Sequence, residues 1–199
     1  MVFYLSITIL VLALGAQLTL RSLAIRKPEI KKEKFFRRVF YASIFLIFIS
    51  AILISIAQYV VWKNHPVSKF LLPPYQGIGY FFRYSIFWYF AAHIISLLFS
   101  AVFIKLAKRY NQKFEEKFFY PEEYYLGALA IFLSSFPGSF IYIIFLFLTS
   151  ILSSLILNKF STLKGERMSF YYLWIPVAIF VIIISKYLQQ LPIWQLFKL

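Results

Sequence analysis

Residues 121–157 read PEEYYLGALAIFLSSFPGSFIYIIFLFLTSILSSLIL, and the only charges in this run are Glu122 and Glu123 at its start. A bilayer crossing takes roughly 20 apolar residues, so the run is too long for one span and just long enough for two short ones. Pro137-Gly138 falls where a turn would have to be. Proline lacks the amide proton and glycine reaches positive φ, so the pair can end one helix and start another without polar residues. The expected structure is a tight transmembrane hairpin with arms at about 121–136 and 139–158. The alternative is a single long kinked helix, because proline is tolerated in a membrane helix whose neighbours satisfy the freed carbonyl.

The rest of the chain has the same character. Hydrophobic residues make up 62% of it and charged residues 14%, against about a quarter charged in soluble domains. The mean hydropathy is +0.78. These values predict an all-α integral membrane protein: a polytopic helical bundle forming a single membrane domain over residues 1–199, with about six transmembrane helices. The remaining spans are expected at about 2–20, 39–62, 81–106 and 170–187, the last bent at Pro176.

The charge pattern orients the bundle. Arg21, Arg26, Lys27, Lys31, Lys32, Lys34, Arg37 and Arg38 follow the first apolar run, whereas a cleavable signal peptide carries its cations before it. The first run therefore reads as an uncleaved span with its N-terminus outside. Three basic stretches, around Lys31, Lys113 and Lys164, mark the cytoplasm by the positive-inside rule. Cations on both sides of the 121–157 run require an even number of crossings there, as a hairpin provides. The expected location is the plasma (inner) membrane. The first basic stretch, with Phe35 and Phe36 between its cations, suits a short helix on anionic headgroups. The expected partners are that lipid surface and a second membrane protein. Nucleic acid is not expected despite the net charge of +14, because no folded reading domain presents the cations.

Chemistry is sparsely encoded. The chain has no cysteine and no aspartate, and its seven acids are all glutamates. Thiolate chemistry and iron–sulfur ligation are excluded. Two histidines make at most part of a zinc site, so no metal or cofactor is expected. G-x-S-x-G, H-E-x-x-H and clustered phosphate-binding glycines are all missing. Three candidates remain. Glu122 and Glu123 follow Pro121, where acids complement the helix dipole or serve as a general acid or base. His93 falls near the expected midplane, where an ionisable residue either bonds a neighbouring helix or marks a small transporter or lipid-handling subunit. The outer loop around Phe70, Leu71, Leu72, Pro73, Pro74 and Tyr75 is too apolar to stay solvated. It either caps the protein's own helices or docks a partner.

From Pro121 to Tyr187 the order of parts resembles the C-terminal membrane half of type IV prepilin peptidases. The strings that carry the resemblance are LGALAIFL, the SFPG turn and GERMSF before the last span. In that family the segment opens with G-x-G-D, where this chain has Tyr120-Pro121-Glu122-Glu123. No residue matches the second catalytic aspartate or the cysteines of the family's first cytoplasmic loop. The resemblance implies either a membrane endopeptidase of that type or a degenerate relative without catalysis. The expected function is a non-catalytic structural or interaction subunit with a basic cytoplasmic face.

Overall fold

The computed structural model describes residues 2–26, 32–114, 119–160 and 170–188. Six helical rods run through them: α1 (Val2–Arg26), α2 (Lys32–Asn64), α3 (Ile78–Lys113), α4 (Glu123–Leu133), α5 (Gly138–Phe160) and α6 (Trp174–Leu188). All but α4 are long and apolar enough to cross a membrane, and the protein is a helical membrane bundle. Side chains of Arg21 and Arg26 are not among those described. Lys27, Lys31, GERMS of the GERMSF string and the tail from 189 on lie outside the described residues.

The centre of the bundle is α4. Every one of its eleven residues is buried. A helix that is apolar on all sides belongs inside a protein or a membrane, and here it is protein that surrounds it. Phe40 and Phe48 of α2 pack their rings on Tyr125 and Phe132. On the α3 side small groups allow close approach, as membrane helix pairs require. Ser100 Oγ donates to Ala128 O at 2.9 Å, and Gly127 lies flat against Phe103 and Trp174. The pairing of Asn111 with Tyr124, Ser100 with Ala128 and His93 with Ser135 makes α3 and α4 antiparallel.

Several expected boundaries move. The first arm of the hairpin is 11 residues, not 16. At 1.5 Å per residue it is about 17 Å long, roughly half of a ~30 Å hydrocarbon core. Its turn sits beside Ala92 and His93, in the middle of α3, where Phe136 N–H donates to Ala92 O at 3.3 Å. The reversal is made by Ser135, whose φ is 50°, followed by Phe136 and Pro137. Gly138, expected to supply the positive φ, instead begins α5. From there α5 heads back toward the basic end: Ser139 meets Ser96, one turn nearer that end of α3 than His93, with their hydroxyl oxygens 3.3 Å apart, and Tyr142 O–H donates to Trp174 O at 3.1 Å.

Helices α2 and α3 are longer than expected, because hydropathy stops at the first cation whereas backbone hydrogen bonding does not. The short surface helix expected around Phe35 and Phe36 is the start of α2, with Phe36 buried and Phe35 exposed. Likewise Lys105, Lys108, Arg109 and Lys113 lie on the last turns of α3 rather than in a loop. Pro176 falls in the first turn of α6, where its missing amide costs little, so it helps begin the span rather than bend it.

Candidate functional site

At the basic end, the chain enters α4 through a turn that the Glu123 side chain closes. Glu123 N–H donates to Tyr120 O at 2.9 Å, and Tyr120 N–H donates back to Glu123 Oε2 at 2.7 Å. Pro121 and Glu122 occupy the two positions between, and Glu122, at the N-cap, makes no side-chain bond to the helix; the Glu123–Tyr120 bond is only the acidic half of a capping box, whose other half needs a Ser or Thr hydroxyl. Glu123 is 1% exposed, and its other oxygen accepts Trp174 Nε1–H at 3.4 Å. Glu122 turns away from it and lies 3.9 Å from Lys32 Nζ at the head of α2. The two carboxylates therefore face different partners and do not form a proton-sharing pair. Glu29, Glu115, Glu116 and Glu166 lie outside the described residues.

Residues that the sequence did not single out complete this end. Asn111 is buried on α3; its amide donates to Phe119 O at 2.8 Å and to Tyr124 Oη at 2.6 Å, and its oxygen accepts Phe119 N–H at 3.0 Å. It fixes the strand of chain that enters α4. Lys108 Nζ stands 3.3 Å from Tyr125 Oη and within cation–π range of the rings of Tyr124 and Tyr125. Phe103, Phe119 and Phe170 pack around Trp174. A lone Asn at the end of an apolar run gave no periodic or motif signal.

Of the first basic stretch, Lys32, Lys34, Arg37 and Arg38 are placed. Lys34, Arg37 and Arg38 are exposed on the opening turns of α2, while Lys32 is half-buried against Glu122.

His93 lies mid-way along α3 with its Nδ1 3.4 Å from Ser135 Oγ in the hairpin turn. Both line a cavity of about 290 Å³ in the half of the bundle away from the basic end, with Ser6, Trp88, Ser134 and Ser185 among its walls.

The outer segment divides in two. Leu72 is 3% exposed and inserts against Trp62 and Phe81. Phe70 and Tyr75 remain 50% and 62% exposed, with their rings 4.8 Å apart. The expected cap is thus an anchored ledge, because only one of its large side chains faces inward. His65 holds it: its Nδ1 accepts the N–H groups of Val67 and Ser68 at 3.3 and 3.2 Å, at the entry to a 3-10 turn over Ser68–Leu71.

Fold and site together define a helical membrane bundle built around a buried half-length helix. Comparison with protein-family models, with curated proteins and with solved structures gives no match to this chain.

Proposed function

We propose that the protein is a non-catalytic interaction subunit of the plasma (inner) membrane, with its N-terminus outside and its basic end on the anionic cytoplasmic leaflet. One observation carries the reading: both candidate carboxylates are committed to structure, Glu123 to the Tyr120 N–H and to Trp174, Glu122 to Lys32. An acid–base pair needs two carboxyls sharing a proton, with separated pKa values. The ledge at Phe70 and Tyr75 supports docking to a second membrane protein, since it holds two packed aromatic rings in place with half or more of each side chain exposed. Within this reading the likeness to prepilin peptidases describes a relative that keeps the hairpin and has lost the reaction.

The double variant Glu122→Gln/Glu123→Gln tests it in native membranes. The expected result is normal insertion, a loss of at most about 1 kcal/mol at Glu122 and of about 1–3 kcal/mol at the buried Glu123, and no change in the processing of pilin-like precursors. Accumulation of an uncleaved precursor would establish the peptidase instead. In the same membranes, native gel migration should show a larger complex that Phe70→Ser/Tyr75→Ser dissolves while the purified variant keeps its melting temperature. Migration of the unaltered chain as a monomer would refute the interaction role.

A further inference from the structure

Because α4 stops at Leu133, half-way through the bundle, the space beyond its end is walled by the start of α1, the π-turn of α3 at Ile86–Phe90 and the far end of α6. That space is the cavity of about 290 Å³. It has room for several waters, more than a dehydrated monovalent ion would fill. Irregular backbone at membrane depth persists only where protein buries it or a polar cavity meets it. The Ser134–Gly138 turn is such backbone, and it forms the floor.

Two hydroxyls of this cavity have their protons committed to the backbone, and the His93–Ser135 pair leaves at least one further acceptor whichever of the two donates. Ser134 Oγ–H is spent on Ala130 O at 2.7 Å, and Ser185 Oγ–H on Ile182 O at 2.7 Å. Each hydroxyl oxygen therefore keeps its lone pairs as acceptors. The carbonyls of the last turn of α4 point toward the same floor. Ser134 N–H and Ser135 N–H take up two of them, on Ala130 and Phe132. The end of a helix also carries the negative pole of its dipole, which favours a cation. Among the described residues no lysine, arginine or carboxylate lines the cavity, while Phe3, Phe87, Trp88 and Phe136 supply aromatic walls. Acceptors, a negative dipole end and aromatic walls together favour a hydrogen-bond-donating cation with an apolar body.

We propose that this cavity binds a small organic cation carrying a primary ammonium group and a short apolar body. The ammonium donates to the acceptors around Ser134, Ser135 and His93, and the carbon chain lies against Phe87 and Trp88. The site is at the opposite end from Glu122 and Glu123 and stands independently of the interaction role.

The probe is n-butylammonium, charged at neutral pH, titrated calorimetrically into the full chain in nanodiscs of zwitterionic lipid against empty nanodiscs. Saturable one-to-one binding is expected. 1-Pentanol, of the same shape without the charge, should show none, and sodium chloride at equal ionic strength should not compete. Ser135→Ala and His93→Phe should each weaken butylammonium by about tenfold, while Phe82→Leu, which lines no part of this cavity, should leave it unchanged. Ser135→Ala removes only one long side-chain contact, so it reports even if His93→Phe does not fold. Equal binding of pentanol, competition by sodium, absence of saturable binding, or full affinity in Ser135→Ala would each overturn the assignment.

Discussion

Gly127 shows how tightly a single position can be specified. A methyl group there would stand 2.6 Å from Phe103 Cε1 and 2.8 Å from Trp174 Cζ3, both atoms of buried or half-buried rings in a crowded layer. Neither ring can retreat far, because Trp174 is itself held by Phe119, Phe170 and its bond to Glu123. Gly127→Ala should therefore cost about 1–3 kcal/mol, the usual range for overpacking a core. Thermal unfolding in detergent measures it. Phe103→Leu in the same chain should recover part of the loss by vacating the contact; a Gly127→Ala variant as stable as the parent would show that the rings are not fixed. Nothing in the string LGALAIFL distinguishes this glycine from a chance small residue.

At the scale of the element, the hairpin owes its shape to a backbone conformation that its composition does not advertise. Proline and glycine mark the turn, but the left-handed residue is Ser135, placed just past the end of α4 where a glycine is more usual. Gly138 has open space where a Cβ would go and begins a helix. Gly138→Ala should therefore be neutral or stabilise by up to about 1 kcal/mol. Ser135→Val should destabilise by about 1–2 kcal/mol, because a β-branched residue resists positive φ. Paired melting curves decide the matter: a larger penalty at 138 than at 135 would place the reversal on the wrong residue.

For the molecule as a whole, the central question is where each end of the hairpin emerges. The turn lies level with His93 at the middle of α3, and α5 then heads back past Ser96 toward the start of α6, so both ends of the hairpin belong on the basic side. The chain has no cysteine, so single introduced cysteines can be labelled without background. With an impermeant maleimide, Lys113→Cys, Tyr120→Cys and Lys159→Cys should label from one side and Asn64→Cys and Tyr75→Cys from the other. Labelling of Lys159→Cys from the side of Asn64 would mean that α5 crosses the membrane instead of returning.

The sequence by itself determined the helical membrane bundle, a break of the 121–157 run near Pro137 and a helix start behind Pro121 with acids in its first turn. These follow from local quantities: the length of apolar runs, proline at a helix start, acids at the positive pole of a helix dipole. What only the tertiary structure decided is which apolar helix faces protein and which faces lipid. Leu126, Leu129 and Ile131 of α4 are buried, while Phe147, Ile151 and Leu152 of α5 are exposed on the surface of the bundle. Lipid and protein core are equally apolar, so the periodicity that separates inside from outside in water carries no signal here. The half-length of α4, and with it the cavity at His93, were hidden for the same reason, since a run of 37 residues reads alike whether its turn is at the membrane surface or at its middle.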